Sequence, residues 1–271
     1  MRLVTFNMRG GGSRAHWETL LGETTPAIAF VQETRDPRLL PSDLLAVHDL
    51  TNACWSQAGH GKWGSALWLR EGACETMALS GPTWWAAGGT VRAMGEEIFA
   101  CSVHLAPAAA GAYVRSANTF LDGLRSVAGS GPVVLGGDWN LSVGARQPDE
   151  ELRNSRGERE LLQRMREEFG LVSAWSACYP TLPLPQTLRR STNPVRPYHC
   201  DGVFVPVSWG DRLRSVEVPA GPAWTALSDH NPVVVEVDAL PPLDRVSSSD
   251  RVGENGNGRI RPAAQSRMPQ L

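Results

Sequence analysis

Val133-Val134-Leu135-Gly136-Gly137-Asp138-Trp139-Asn140 runs an apolar strand into two glycines and then into an aspartate and an asparagine two residues apart. Side chains two positions apart on an extended strand point to the same face. Asp138 and Asn140 can therefore serve one phosphate or metal at the strand's end. A second cluster, Ser228-Asp229-His230, stands just ahead of another apolar run, Pro232 to Val237, and sets a carboxylate beside an imidazole. Two polar clusters at strand ends point to one site.

Outward from that stretch, short apolar runs recur at 2–6, 27–31, 64–69, 98–103, 132–136, 201–207 and 231–237 and predict strands. Two helices fit between them. Residues 112–127 set Tyr113, Ala117, Phe120, Leu121 and Leu124 on one stripe; 157–169 do so with Leu161, Leu162, Met165 and Phe169, and Gly170 can end that helix. The mixture of strands and helices along the whole length predicts one layered α/β domain over 1–243. Residues 180–197 hold Pro180, Pro183, Pro185, Pro194 and Pro197 and read as a long binding loop. Past Pro242 hardly any apolar residues follow, so 244–271 is expected to be a disordered tail.

Asn7, Glu33, His104, Asp138 with Asn140, Asp201, and Asp229 with His230 each stand where an apolar run stops. Taken alone, a strand-end carboxylate is more often a helix cap or a surface group. The same chemical menu repeated at six strand ends is what points to a site. That menu suits phosphate ester hydrolysis. Mg²⁺ takes one or two carboxylates and keeps waters, leaving room for phosphate oxygens, and Mn²⁺ can substitute. Asparagine amides orient phosphate without adding negative charge. A histidine oriented by a carboxylate can take a proton from water, and a second can steady the transition-state charge or protonate the leaving oxygen.

With 271 residues, 42% hydrophobic, the chain can bury a substantial core, and its formal net charge of -2 excludes a polycation. The five cysteines are odd in number, widely spaced and lack a C-x-x-C pair, which predicts free thiols, with no disulfide framework or zinc site. No apolar leader and no run of 18 apolar residues is present, so a cytoplasmic enzyme without a membrane span is expected.

The 26 basic residues include one lysine, Lys62; Arg9, Arg115, Arg146, Arg189 and Arg190 are candidate phosphate contacts, Arg189-Arg190 in the proline-rich loop foremost. Trp17, Trp68 and Trp175 sit in apolar patterns and predict core. Trp55, Trp63, Trp84, Trp85 and Trp224 fall near loops, where they could stack on bases, although packing over the rim is the plainer reading. Trp139 lies inside the polar motif and is read as a substrate contact able to stack on a base. His16, His48 and His60 have no polar context and read as structural or exposed.

Thr5-Phe6-Asn7-Met8-Arg9, Gln32-Glu33, Ser102-Val103-His104-Leu105, Gly137-Asp138-Trp139-Asn140, Asp201-Gly202-Val203-Phe204-Val205 and Ser228-Asp229-His230 resemble, in order, the motifs of the endonuclease/exonuclease/phosphatase superfamily. The resemblance covers residue 3 to about 238. It implies a DNase I-like fold, a four-layer α/β sandwich of two mixed β-sheets face to face, flanked by helices, with the site at one end. It also implies that Glu33 ligates a divalent metal, with Asn7 beside it as a second metal or phosphate contact and Asp229 as a further metal or hydrogen-bonding group. Asp138 would orient or activate water, Asn140 hold a phosphate oxygen, Asp201 orient His230, and His230 act as base or phosphate-stabilising imidazole.

His104 resembles the histidine of the DNase I, sphingomyelinase and phosphatase branches, where AP endonucleases tend to carry tyrosine. In the fifth motif the usual arginine is missing, and His199-Cys200-Asp201-Gly202 leaves His199 or Arg196 as a substitute, or His199 as a buried strand residue. The first functional expectation is a metal-dependent nuclease acting on nucleic acid. Against it stands the acid balance of 1–243, 21 basic against 25 acidic residues. A small or lipid-like phosphate ester is the alternative substrate, and phosphate binding without turnover is a third reading.

Overall fold

The computed structural model describes residues 1–41, 49–59, 61–74, 77–81, 84–93, 95–106, 112–129, 131–150, 152–189 and 198–238. All seven apolar runs form strands, and five shorter or less regular segments join them. In chain order the elements are β1 (Arg2–Asn7), α1 (Arg14–Thr24), β2 (Ile28–Thr34), β3 (Ala53–Gln57), β4 (Gly64–Leu69), β5 (Met77–Gly81), β6 (Trp84–Ala93) and β7 (Glu96–Leu105). Then come α2 (Tyr113–Arg125), β8 (Val133–Asp138), α3 (Arg156–Phe169), β9 (Leu171–Ser173), α4 (Ala174–Cys178), β10 (Asp201–Pro206), β11 (Leu213–Glu217), α5 (Pro222–Thr225) and β12 (Val233–Val237). Ser155 and Glu158 close a capping box at the start of α3, and Gly170 ends it at φ 61°.

The strands form two six-stranded sheets, ordered β11-β12-β1-β2-β4-β3 and β5-β6-β7-β8-β10-β9. Each sheet has one parallel pair near its middle, β1 with β2 and β7 with β8, and is otherwise antiparallel. A parallel pair needs a crossover, and α1 and α2 supply the two.

Strand alternation then creates three apolar layers. Leu3, Ile28, Phe30, Ile98, Ala100, Val134, Val203, Val205 and Val235 share the layer between the sheets. Their neighbours Phe99, Cys101, Val103, Val133, Leu135 and Phe204 pack with Phe120 and Leu124 of α2 and Leu161 and Met165 of α3. Val4, Phe6, Ala29, Val31 and Val234 pack with Trp17, Leu20 and Leu21 of α1. The result is helix, sheet, sheet, helix: the expected four-layer sandwich.

Its polarity changes along the inner layer. Following each strand by twos, Leu3 leads to Thr5 and Asn7, Phe30 to Gln32, Ala100 to Ser102 and His104, and Val134 to Gly136 and Asp138. One end of the inter-sheet layer is therefore polar. Thr5 donates to the Gln32 side-chain oxygen, the Gln32 amide donates to Ser102, and Ser102 donates to the Val31 backbone carbonyl. This buried chain ties the sheets together just beneath that end.

Two expectations change. Cys54 in β3 and Cys74 after β4 form a disulfide, which corrects the reading of every cysteine as a free thiol. Folding brings their Cα atoms to 6.1 Å although 20 residues separate them in sequence, a proximity that spacing conceals. Cys101, Cys178 and Cys200 are free. Trp224, read near a loop, is buried against Phe6.

Met1–Leu240 forms one compact unit, and the tail expected at 244–271 lies outside the described residues. Among the described residues no helix is long and apolar enough to cross a membrane.

The sheets approach closely at Gly136, where an added Cβ would stand 2.4 Å from the ring of Phe30, itself fully buried. Gly136→Ala should lower the unfolding free energy by about 1–3 kcal/mol through overpacking. Urea denaturation measures this, and an unchanged midpoint would contradict the tight approach.

Candidate active site

The polar end collects the C-termini of β1, β2, β7 and β8 and the N-terminal ends of β10 and β12, which run the other way. This explains why four clusters follow their apolar runs and two precede them. Register does the rest. Trp85 pairs with His104, His104 with Asp138, and Asp138 with Asp201, so these four residues stand in one row across four strands.

Asp138 is the centre of the row and is almost entirely buried. One carboxylate oxygen accepts from the Asn140 backbone N–H at 2.9 Å, and the other from the Asn7 amide at 2.9 Å. That second oxygen also lies 3.8 Å from His104 Nε2 and 3.9 Å from His230 Nε2. Burial, then the charge of Asp201, push the Asp138 carboxyl above its usual range, against the pull of the two imidazoles.

Asn7 joins the sheets. Its amide donates to Asp138 and, at 3.1 Å, to Glu33, while its carbonyl accepts from the Arg9 N–H at 2.8 Å. With no exposed surface and every polar atom engaged by the protein, Asn7 is placed to position two carboxylates. The expected direct contact with substrate is thereby corrected.

Strand parity would turn Glu33 outward. A one-residue bulge in β2 between Val31 and Thr34, with Glu33 at φ 51°, turns it inward, 3.8 Å from His104 Nε2. Arg9 and Asn140 also adopt left-handed backbone, at φ 50° and 51°. For a non-glycine residue this conformation costs of order 1–3 kcal/mol and persists only where surroundings impose it. Three such residues ring one cleft.

His230 Nδ1–H donates to both Asp201 oxygens, at 2.8 and 3.0 Å, which leaves Nε2 facing Asp138. Burial opposes a charged ring, but Asp201, Asp138 and Asp229 outweigh it and lift the His230 pKa to about 10. Asp229 pairs with the mostly exposed Arg9 at 3.6 Å through one oxygen. Its other oxygen is buried and has no hydrogen-bond partner. Asn140 donates its amide to the Leu105 carbonyl at 2.8 Å, tying β7 to the loop after β8.

Three sequence expectations move. Trp139 is completely buried between Phe120 and Phe204, with ring centroids at 6.0 and 5.1 Å. Parity sends it to the helix side of the sheet, so it is core and not a substrate contact. The Arg189 guanidinium donates to Asn231 and to the carbonyls of Ser228 and His230, and its backbone N–H bonds Asp229. It clamps the 228–231 turn, where the sequence reading expected a grip on substrate. Arg146 is buried against Glu150. Arg190, Arg196, His48 and His60 lie outside the described residues.

His199 is fully buried and donates Nδ1–H to the Pro185 carbonyl at 3.0 Å, which favours the structural reading over a replacement for the missing arginine. Its partner Gly202 has no room for a side chain: a Cβ there would meet Val143 at 2.7 Å. His16 is structural too, accepting from Ser13 and donating to the Leu227 carbonyl.

Sequence alone did not show the braces. Thr187, in the proline-rich loop, accepts from the N–H groups of Cys200 and Asp201 and so fixes the start of β10. Ser228 donates to the Asn7 carbonyl at 2.7 Å and accepts from the His230 N–H at 3.0 Å. Only Ser228 had a signal, its place beside Asp229 and His230.

The model of the Endonuclease/Exonuclease/phosphatase family matches residues 4–230. The chain belongs to that family. Hydrolysis of phosphate esters is the activity that membership supports. Among curated proteins no significant match is found. An AP endonuclease from Archaeoglobus fulgidus is similar in structure at 17% identity and TM-score 0.63, over 88% of this chain and 99% of that one. An endonuclease/exonuclease/phosphatase from Bacteroides vulgatus is similar at 17% identity and TM-score 0.60, over 88% and 98%. A humanized D. rerio TDP2 with 14 mutations is similar at 14% identity and TM-score 0.61, also over 88% and 98%. These likenesses establish the shared DNase I-like fold.

Which side of this family site could hold a divalent metal follows from the donors. Asp138, Cys200, Asp201 and His230 offer ligand atoms within 4.8 Å of one another, all buried. Their hydrogen bonds already account for that closeness, since His230 and the Cys200 thiol both donate to Asp201. Glu33 is partly exposed with one amide donor, and Asp229 has a buried oxygen with no hydrogen-bond partner, 3.9 Å from His230 Nε2. Hard carboxylate oxygens short of donors fit Mg²⁺ or Mn²⁺.

His199 yields a stability test. Burial, with Arg146 adding to it, lowers its pKa to about 3 from 6.5. The unfolded chain therefore takes up the proton first, so stability is intact above pH 6.5 and falls as pH drops toward 3. At pH 4.5 this term should cost the wild type about 3 kcal/mol. Denaturant melts at pH 7.5 and 4.5 should show a smaller acid loss in His199→Asn; equal losses would refute the buried neutral imidazole.

Proposed function

We propose that the chain is a divalent-metal-dependent phosphodiesterase acting on nucleic acid. The observation that carries the chemistry is Asp138, buried between two imidazoles and joined to Glu33 through Asn7. Glu33 and Asp229 would hold Mg²⁺, or Mn²⁺ in its place, which when bound neutralises charge on the phosphoryl oxygens.

Asp138, its basicity raised by burial and by Asp201, accepts a proton as a water oxygen bonds to phosphorus. The ester oxygen opposite leaves as its bond to phosphorus breaks. His230, carrying a proton by virtue of Asp201, stabilises the phosphoryl charge and returns a proton to the leaving oxygen. The products are a phosphate monoester and an alcohol. His104 faces Glu33 and Asp138 and supports the charge on the opposite side. Asn140 steadies the phosphate, and Arg9 at the rim is the cation available to a neighbouring one.

The nucleic-acid reading draws support from that rim arginine and from the AP endonuclease fold likeness. The acid balance of 1–243 favours the second reading, a small or lipid-like phosphate ester. A steep fall of DNA cleavage with rising salt would support the polyanion, since phosphate contacts release counterions. A flat profile would support the small ester. Binding without turnover is the poorest fit, because a passive phosphate site gains nothing from a buried carboxylate between imidazoles.

Asp138→Asn, His230→Asn and Glu33→Ala should each lower kcat on bis-p-nitrophenyl phosphate and DNA by about 10²- to 10⁴-fold with circular dichroism unchanged, and EDTA should abolish turnover. Wild-type rates in any one variant would remove that residue from the mechanism. Glu33→Gly should be inactive yet more stable by about 1 kcal/mol, as the left-handed strain is relieved. Loss of rate at alkaline pH, as His230 gives up the proton that Asp201 holds on it, should be absent from the residual activity of His230→Asn.

A further inference from the structure

The row Asp201, Asp138, His104 does not stop at the histidine; its next member outward is Trp85, whose ring centroid lies 5.2 Å from that of His104. Facing it from the other sheet is Trp63, in the turn between β3 and β4. Both line a cavity of about 300 Å³, which Glu33, His104 and Asn140 line as well. The reaction centre and the apolar cavity therefore share a wall.

Trp63 is held there. The Ala58 N–H donates to its carbonyl at 2.8 Å, and the indole packs on the backbone of Gly10, where a Cβ would come within 3.1 Å. Gly10 also sits at φ 69°, so a side chain is doubly disfavoured. Yet Trp63 is 46% exposed. An indole packed only to seal the rim would be covered; this one keeps almost half its surface toward solvent beside the site.

We propose that Trp63 and Trp85 clamp one unpaired nucleobase attached to the phosphate undergoing hydrolysis. This rests on the nuclease reading above. Among the described residues that line the cavity there is no lysine or arginine, so it suits a neutral planar group and not a second phosphate. Apart from the indoles, the polar side chains among its described lining residues are Glu33, His104 and Asn140, the three that face the phosphate, which makes the clamp tolerant of sequence. A chain whose first 243 residues are net acidic gains little from long-range attraction to duplex DNA, and stacking supplies affinity that charge does not. Inside a duplex both faces of a base are covered by its neighbours, so a base between two indoles has left the stack.

The test uses the full chain with Mg²⁺ and short single-stranded thymidine oligomers carrying one base-less residue at each position in turn. Wild type should cut one bond, at a fixed offset from the base-less residue, roughly ten- to a hundredfold more slowly than in the unmodified oligomer. Trp63→Ala should cut the unmodified oligomer more slowly and lose most of that discrimination, and Trp63→Phe should recover it. Equal sensitivity to the missing base in wild type and Trp63→Ala, or none in either, overturns the clamp. Oligomers left intact by wild type while inositol phosphates are hydrolysed would instead defeat the nuclease reading, and the clamp with it.

Discussion

One amide side chain, that of Asn7, donates to carboxylates that arrive on different sheets, Glu33 from β2 and Asp138 from β8. Two like charges converging at the dry end of a sandwich repel each other strongly. A neutral double donor lets them converge without adding a charge that would compete with a cation. The Thr5, Gln32 and Ser102 chain below performs the mechanical half of the same task by fixing how far apart the sheets lie. Every distance in the cleft depends on that spacing.

Polarity in the cleft is built at a cost in backbone and desolvation energy. Glu33 and Arg9 hold left-handed backbone, Asp138 is buried, and one oxygen of Asp229 has no hydrogen-bond partner. Apolar layers on both sides of each sheet offset these terms, and the glycine at 136 lets the sheets close up directly beneath them. Stability is concentrated in the body of the sandwich, and strain at its active end.

The sequence made the architecture legible because alternation and apolar runs are local signals. The seven strands with continuous apolar runs were readable, whereas β5 and β6 contain glycine and alanine and have no such run. The site was legible as a set of strand ends. Its orientation was not, since the bulge that turns Glu33 inward depends on pairing with β4. The opening stretch held a clue that went unused: if Asp138 and Asn140 face one way, Trp139 faces the other, and it is found in the core. Arg189 misled because composition cannot distinguish an arginine that binds phosphate from one that binds backbone carbonyls. The Cys54–Cys74 bond depended on tertiary proximity alone.

β1 lies between β2 and β12, and its antiparallel partner β12 is the last strand in sequence among the described residues. His230 arrives on the approach to that strand, more than two hundred residues after Asn7. Any fragment that stops short of His230 thus lacks both the closing strand and the imidazole. Through the Ser228 to Asn7 bond the cleft depends on the two ends of the sandwich meeting, so a break at either end dismantles the site.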